Sequence, residues 1–434
     1  MRKKRFHTVI TAIRLYATAL GMLLVMAACS SDTVEGDPHY MRNGMLVVDV
    51  NGTTIYFLDN HDGTVSVTYD QDNPMHTNSK NQYILTDYVG EVVIPSTVTL
   101  DGKTYQVVGV TESAFMNNTS LTKVVLPETV TSIGQMAFYN CSLLEEVNIP
   151  ENVTALPNAC FSGCKALRIV KMPSHMTSIG KNAFRSCTML EGLDIPEGIT
   201  ELSEQMFKGC SRMTHLSLPS TLTTLGPQAF YGCSQLTELT IPDGVTELPD
   251  SCFYGCSRIV ELTLPRQLTK IGDRTFRGCS ALNALEFPKS LKEIGRLAFY
   301  GCGKIISLEI PDGITELKDS VFGGCGALLE VILPEGLTKL GEGTFTACRS
   351  LFTITLPESV KEIGEKCFYS VNNEGVANWR NLEIFVKSTT PPTVLGSFVN
   401  QTNRRRVIVP RGYRDVYMQT PYWDEFTEFM ETNY

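Results

Sequence analysis

Apolar residues return along most of the chain at a fixed interval of 23 residues. Phenylalanine recurs at this interval from Phe115 to Phe368, proline from Pro127 to Pro357, and cysteine from Cys141 to Cys348. Because three residue types share one period, the pattern indicates an internal structural repeat and not a scatter of apolar positions.

Each repeat contains the signals of two short extended segments. In the unit Leu236–Cys256 the pattern is LxxLxIPxxVTxLxxxxFxGC. Residues 239–241 alternate between apolar and polar types, which predicts a short strand. Pro242 cannot donate to a strand ladder and ends it, and Asp243 and Gly244 form a turn signal. The segment before Phe253 is too short for more than a helical turn.

A single unit of this kind cannot fold alone. About eight positions per unit face inward, and their burial falls well short of the conformational entropy lost by ordering 23 residues. Stacked units share backbone ladders and close the core from both sides. The sequence therefore predicts a β-rich repeat solenoid with parallel strands on one face.

The repeat resembles the leucine-rich repeat of the BspA-like subfamily of bacterial surface proteins. The matching features are the Leu-x-x-Leu-x-Ile-Pro strand, the Val-Thr-x-Leu/Ile-Gly turn and the Ala-Phe-x-Gly-Cys close, as in residues 229–233. The likeness covers about residues 88–390 and recurs in register eleven times. It implies a leucine-rich repeat solenoid that is exposed at the cell surface and adheres to host matrix proteins or to other bacteria.

Departures from the period predict β-rich segments that cap both ends. An Asp101–Gly102 turn between β-rich runs predicts an inserted hairpin, and residues 54–58 and 64–69 flank Asp62–Gly63 as a second one. We interpret residues 41–87 as the N-terminal cap, residues 88–390 as the solenoid and residues 391–434 as the C-terminal cap. An eight-residue insertion lies at 371–378. An aromatic plug under the last rung is expected from Tyr417, Trp423, Phe426 and Phe429.

The N-terminus has the organisation of a secretory signal. Four basic residues at 2–5 precede an apolar stretch at about 15–28, and Ala27-Ala28-Cys29 follows. The Ala-Ala-Cys sequence resembles a bacterial lipobox, which implies a signal peptide over 1–28, lipidation of Cys29 and a polar tether over 29–40. The alternative is an ordinary signal in which Cys29 is incidental. Acidic residues after Cys29 resemble surface-export signals of Gram-negative anaerobes. We therefore expect a lipid-anchored protein of the outer membrane or cell surface of a Gram-negative bacterium.

Composition excludes several classes of function. The 434-residue chain has a formal net charge of −9, and five of its basic residues lie in the first 28 positions. Such an acidic body disfavours nucleic acid and anionic membrane surfaces as partners, so that membrane contact is expected through the lipid anchor only. Six scattered histidines and the absence of phosphate-loop, HExxH or paired-carboxylate motifs predict no metal, no cofactor and no enzyme activity.

Ten cysteines occupy one column of the repeat. Disulfides between neighbouring rungs are an open alternative, because the chain leaves the cytoplasm and rungs lie ~4.8 Å apart. In-register stacking, however, points all ten side chains the same way, and free cysteine packs as a small hydrophobe. We predict buried thiols, and the same for Cys160, Cys252 and Cys367, which precede phenylalanines.

The outward positions of the predicted strands hold two groups of residues. An acidic stripe consists of Glu238, Glu261, Glu286, Glu309 and Glu330. An apolar cluster, rimmed by Glu309 and Glu330, consists of Ile306, Leu329, Ile332 and Phe352. An uncovered apolar cluster would be a partner site. The alternative is that Tyr417 and Trp423 of the C-terminal segment cover it. His215, also outward, is expected to be solvated.

These features favour a surface-anchored, non-catalytic binding protein. Its partner would be a host matrix protein or a bacterial surface protein that docks on the strand face, and we expect the chain to be a monomer. The alternative is a glycan- or nutrient-binding outer-membrane lipoprotein. Such a protein should carry aromatic platforms on its exposed face, where only Phe352 is found. A further alternative is a structural spacer that has no binding partner of its own.

Overall fold

The 23-residue period of the sequence becomes one turn of a solenoid. The computed structural model describes residues 40–42, 45–70, 76–77, 83–84, 88–369, 382–399 and 406–433. The expected signal peptide, Cys29, most of the tether and the insertion at 371–378 lie outside these ranges.

The described residues of the N-terminal part and of the first turns of the solenoid contain nine strands. They are β1 (Tyr40–Arg42), β2 (Met45–Val50), β3 (Thr53–Asp59), β4 (Thr64–Thr68), β5 (His76–Thr77), β6 (Tyr83–Ile84), β7 (Gly90–Val93), β8 (Thr97–Leu100) and β9 (Lys103–Val110).

The repeats contribute short strands in pairs, one pair to most units. They are β10 (Leu121–Val125), β11 (Ser132–Ile133), β12 (Glu146–Asn148), β13 (Ala155–Leu156), β14 (Ile169–Lys171), β15 (Ser178–Ile179), β16 (Gly192–Asp194), β17 (Glu201–Leu202), β18 (His215–Ser217), β19 (Thr224–Leu225), β20 (Glu238–Thr240), β21 (Glu247–Leu248), β22 (Glu261–Thr263), β23 (Lys270–Ile271), β24 (Glu293–Ile294), β25 (Ser307–Glu309), β26 (Glu316–Leu317), β27 (Glu330–Ile332), β28 (Lys339–Leu340), β29 (Thr353–Leu356) and β30 (Glu362–Ile363).

The described residues of the C-terminal part add four strands and one helix. They are β31 (Glu383–Val386), β32 (Thr393–Val394), β33 (Arg406–Pro410), α1 (Arg414–Met418) and β34 (Glu428–Thr432). Among the described residues, no helix combines the length and the apolar character that crossing a membrane would require.

Neighbouring units pair in parallel at a constant offset of 23 residues. Gly192 pairs with His215 in the ladder of first strands, and Glu247 pairs with Lys270 in the ladder of second strands. The first ladder is interrupted at 284–286, where no strand forms. There Phe287 stands in place of the usual Leu or Ile before proline, and its ring packs edge-on against Phe299 at 5.5 Å. The predicted solenoid with parallel strands is confirmed.

The recurring phenylalanines form a continuous stack through the core. From Phe115 to Phe368, successive ring centroids lie 4.9–5.9 Å apart and the ring planes differ by 4–19°. Tyr88 ends the stack on one side, 5.1 Å from Phe115. One identical aromatic ring per turn thus fills the centre of the solenoid.

Both predicted hairpins and the aromatic plug are present. Strands β3 and β4 pair antiparallel, as do β8 and β9 across Asp101 and Gly102. At the other end, Trp423 and Tyr417 are buried, and Trp423 packs against Phe398 at 5.2 Å. The Trp423 indole N–H donates to the Pro392 carbonyl at 3.0 Å, and the Tyr417 hydroxyl to that of Ser388 at 2.8 Å. The boundaries of the caps stay a prediction.

The cysteine column is a row of buried thiols. All thirteen cysteines of the described residues are free and buried. In the ten repeated ones the thiol donates to the carbonyl of the phenylalanine 26 residues earlier, as Cys233 does to Phe207 at 3.3 Å. Burial raises the pKa of Cys233 to about 12. The thiolate, which is the reactive form, is therefore strongly disfavoured in the folded protein.

We expect thiol titration to separate the folded from the unfolded state sharply. At pH 8 the native protein should react slowly with a thiol reagent, because burial blocks access and disfavours thiolate. After denaturation without reductant, all thirteen cysteines beyond Cys29 should react. Recovery of several fewer thiols would mean that neighbouring rungs are cross-linked by disulfides.

Candidate binding surfaces of the solenoid

The first strand of each repeat exposes two side chains and buries the one between them. In β20 and β22 the pattern is exposed, buried, exposed, and it recurs in β18, β25 and β27. This alternation follows from the two-residue period of a strand whose other face lies on the core. We call one surface of the solenoid the strand face. It consists of the two exposed residues of each first strand and the residue that directly precedes that strand.

The acidic stripe lies on the strand face as predicted, and its carboxylates are not neutralised. All five glutamates are exposed. Within the described ranges, none has a cationic group within ion-pair distance, whereas Lys123 on an early turn lies between Glu91 and Glu146 at 3.4 and 3.8 Å. Glu238 and Glu261 are direct register partners. Like charges placed opposite each other on neighbouring strands are destabilising, so this stripe raises the local negative potential.

Three of the four predicted apolar residues are exposed on two neighbouring turns of the strand face. Ile306 is 52 % exposed, Leu329 is 42 % exposed and Ile332 is 52 % exposed. The Leu329 amide donates to the Ile306 carbonyl at 2.8 Å, and Ile332 is the register partner of Glu309. Phe352 differs from the expectation of an outward residue, because it is half-buried. We call Ile306, Leu329 and Ile332 the late-strand patch.

The rival explanation for these residues was that the C-terminal segment covers them. Tyr417 and Trp423 are instead buried inside the C-terminal cap, where they contact each other edge-on at 5.0 Å. The late-strand patch keeps its exposure with both rings in place. The described part of the C-terminal segment therefore leaves the patch open.

Shallow grooves run between neighbouring turns of the strand face. One, of about 420 Å³, lies between β27 and β29 and is lined by Glu330, Ile332 and Thr355. The Lys387–Glu335 ion pair, at 2.6 Å, stands at its side. A second groove, of about 680 Å³, lies between β18 and β20. The late-strand patch thus borders a concave feature and is not a flat surface.

His215 has a partner that its own unit did not reveal. Its Nε2 lies 3.2 Å from Oδ1 of Asp194, one turn earlier, and both side chains are largely exposed. No described residues form a group of three or more histidine, cysteine or carboxylate side chains placed to hold a metal ion.

Sequence reasoning missed a second surface, which consists of the residues directly after the stacked phenylalanines. Tyr231 and Tyr254 stack with their centroids 4.5 Å apart and their planes within 1°. The Lys208 ammonium lies 4.8 Å from the Tyr231 ring centre. The Arg277 guanidinium lies between Tyr254 and Tyr300, at 5.6 and 5.2 Å. The available signal was the recurrence of tyrosine and basic residues at this one position of the repeat.

The repeat signature matches a known family over more than half of the chain. The family described as "BspA type Leucine rich repeat region (6 copies)" matches residues 108–237, 200–329 and 246–374. The chain belongs to the BspA-type leucine-rich repeat family. No curated protein matches the sequence significantly.

Solved structures agree with a BspA-type solenoid over nearly the whole chain. A leucine-rich repeat protein from Bacteroides ovatus is 26 % identical, with 91 % of this chain and 100 % of that one covered and a TM-score of 0.67. A leucine rich cell surface protein from Faecalibacterium prausnitzii is 22 % identical, with 89 % and 95 % covered and a TM-score of 0.52. The pneumococcal vaccine antigen PcpA is 15 % identical, with 93 % and 100 % covered and a TM-score of 0.50. The last two likenesses, at 22 % and 15 % identity, concern the fold alone.

Proposed function

We propose that this leucine-rich repeat protein is anchored at the bacterial cell surface by lipid on Cys29 and binds a protein partner through the late-strand patch. Its role is recognition without catalysis. The observation that carries the proposal is that Ile306, Leu329 and Ile332 lie together, exposed, at positions where most other turns place polar residues. An apolar centre with a polar rim is the arrangement of an interface hot spot.

The charge around the patch favours a basic partner. Glu309 and Glu330 border it, and neither has an ion-pair partner among the described residues. A partner surface with lysine or arginine would meet this negative potential, mainly through faster association at low salt. The cell-surface location is supported by the description of the Faecalibacterium prausnitzii protein, whose fold this chain shares.

Introduction of a charge into the late-strand patch tests the proposal against a matched control. The full chain with Leu329→Asp should bind partner proteins from a matrix-protein array at least tenfold more weakly, because an apolar anchor is replaced by charge. Ile169→Asp makes the same change on an early turn, where Ile169 is 72 % exposed, and should leave binding unchanged.

Thermal melting distinguishes a lost contact from a lost fold. Both variants should melt within a few degrees of the parent protein, since the replaced side chains are exposed. Equal loss of binding in the control, or a melting temperature lowered by many degrees only in the patch variant, would contradict the role of this patch.

Replacement of the expected lipid attachment site tests the anchor separately. Cys29→Ser removes the thiol that would be acylated, and without several acyl chains the protein has little apolar area to hold it in a bilayer. We expect the variant to move from the membrane fraction to the soluble fraction of the cells. Unchanged membrane retention would show that Cys29 is not the anchor.

A further inference from the structure

Charges are segregated along one edge of the solenoid, which in each unit lies between the stacked phenylalanine and the next first strand. We define the turn edge as the five residues after each phenylalanine of the stack, over the ten turns from Phe138 to Phe345. These segments hold no aspartate or glutamate, although the chain has 46 acidic residues against 37 basic ones. They hold eight basic residues: Lys165, Arg185, Lys208, Arg212, Arg258, Arg277, Lys304 and Arg349.

The eight cations of the turn edge have no carboxylate partners. Across the ranges that the structure describes, none lies within ion-pair distance of an acidic group, whereas Lys270 and Lys339 elsewhere on the solenoid contact Glu293 and Glu362 at 3.2 and 2.9 Å. Six of the eight are exposed, and Lys208 and Arg277 are half-buried against tyrosine rings. Burial, and then the neighbouring Arg185, lower the pKa of Lys208. Glu204 offsets this in part without forming an ion pair with Lys208.

The backbone holds these cations in a fixed row. The Gly209 amide donates to the backbone carbonyl of Tyr231 at 2.7 Å. The amides of Gly232 and Gly255 donate in the same way to the backbone carbonyls of Tyr254 and Arg277, at 2.8 Å each. One turn therefore follows another at the spacing of paired strands. Between the turns of Lys165 and Arg349 the row extends for about 38 Å, with roughly one cation for each turn of ~4.8 Å. A rigid row of this length matches a linear polyanion better than a single small anion.

The tyrosines do not offer platforms for nucleic-acid bases. Tyr231 and Tyr254 cover each other's inner faces. Lys208 and Arg277 lie over their outer faces. The ring of Tyr300 also lies close to Gly323, where an added Cβ would be 2.8 Å from the ring. Single-stranded nucleic acid needs open aromatic faces for stacking. From Lys165 onward this edge also has no exposed large apolar residue to insert into a membrane.

In place of open aromatic faces or exposed apolar residues, the turn edge carries hydroxyl groups beside its cations. Four consecutive turns carry serine directly after the cysteine, and the Ser234 and Ser280 hydroxyls donate back to the serine carbonyl one turn earlier at 3.3 Å. Tyrosine edges, with their phenol groups, are partly exposed beside them. Five of the eight cations are arginines, whose planar forks bind carboxylates through two parallel hydrogen bonds. Carboxylates carried on a polyhydroxylated chain satisfy both sets of groups.

We infer that the turn edge binds a linear polysaccharide of uronic acids. Its carboxylates pair with the row of arginines and lysines, and its hydroxyls bond to the serine and tyrosine hydroxyls between them. This site is separate from the strand face, so the chain carries one surface for a basic protein and another for an acidic glycan.

Binding of polygalacturonate to the full chain in non-ionic detergent tests this inference. We expect saturable binding at 50 mM NaCl that weakens at least tenfold at 300 mM NaCl, since the contacts are charge pairs screened by salt. Neutral dextran should not bind. Binding of dextran at equal strength, or tighter binding of single-stranded DNA or of phosphatidylglycerol in mixed micelles with the same detergent, would overturn the assignment.

Charge reversal locates the site, with a control of equal net charge. The triple variant Arg185→Glu, Arg212→Glu and Arg258→Glu should lose polygalacturonate binding by at least tenfold. The control Lys289→Glu, Lys292→Glu and Lys361→Glu reverses three exposed lysines away from the turn edge and should change binding less than twofold. Equal losses in the two would show a general charge effect and no site. The Leu329→Asp variant should bind polygalacturonate normally, which keeps this test independent of the protein-binding proposal.

Discussion

Replacement of Phe230 with alanine should lower the free energy of unfolding by about 3–5 kcal/mol. The Phe230 ring is fully buried, with its neighbours Phe207 and Phe253 at 5.9 and 5.1 Å on its two faces. Its removal leaves a cavity that the rigid ladders on either side cannot close. Because each turn contacts only its neighbours, the break should also uncouple the N-terminal turns from the C-terminal ones.

Urea denaturation followed by circular dichroism measures this effect. The parent protein should unfold more cooperatively than Phe230→Ala, whose curve should broaden or divide into two steps. The control Thr240→Ala replaces an exposed residue of β20, the first strand after Phe230. It should change the free energy of unfolding by less than about 0.5 kcal/mol. A loss below about 1 kcal/mol for Phe230→Ala would show that the aromatic stack is not what holds the turns together.

Replacement of Gly226 with alanine should also be severe, although the change adds a single methyl group. A Cβ at Gly226 would lie 2.4 Å from the Glu204 amide nitrogen and 2.6 Å from the Ser203 carbonyl carbon. Both are backbone atoms of the preceding turn, so the clash is relieved only if the two turns move apart. Overpacking of this kind costs about 3 kcal/mol or more when no flexible side chain can yield.

Gly303→Ala is the matched control, because a Cβ there meets nothing within 4 Å. This variant should be neutral or slightly stabilising, since alanine restricts the unfolded chain more than glycine does. The comparison of the two melting temperatures isolates the close approach of turns from the general effect of glycine replacement. Similar melting temperatures for the two variants would contradict the tight spacing at Gly226.

The repeat period was sufficient to derive most of the fold. Only a stack of parallel turns places the phenylalanines from Phe115 to Phe368 in one column, because a constant offset of 23 residues is also the register of the ladders. The hairpins at Asp62–Gly63 and Asp101–Gly102 were likewise local, since turn type depends on the residues at the turn itself. The buried cysteine column followed from the same periodicity.

The exposure of individual surface residues could not be derived from the repeat period. Ile306 and Phe352 occupy the same position of the repeat, yet the first is half exposed and the second is half-buried. Ile306 lies between two turns that keep the 23-residue period. Phe352 precedes β29, which pairs with β31 of the irregular C-terminal part. Exposure of an outward residue depends on what its neighbouring turns place beside it, and at the end of the array those neighbours no longer follow the pattern.

The sequence by itself therefore determined the solenoid, its register, its inward columns and the acidic and apolar composition of the strand face. All of these depend on periodicity and on the alternation of side chains in a strand, which are properties of residues close together in the chain. Only the tertiary structure decided that the described residues leave the late-strand patch exposed, that Asp194 meets His215, and that the turn-edge cations lie beside stacked tyrosines with no carboxylate of the described residues within ion-pair distance. Those outcomes depend on contacts between residues one or more turns apart, and such contacts exist only once the turns have stacked.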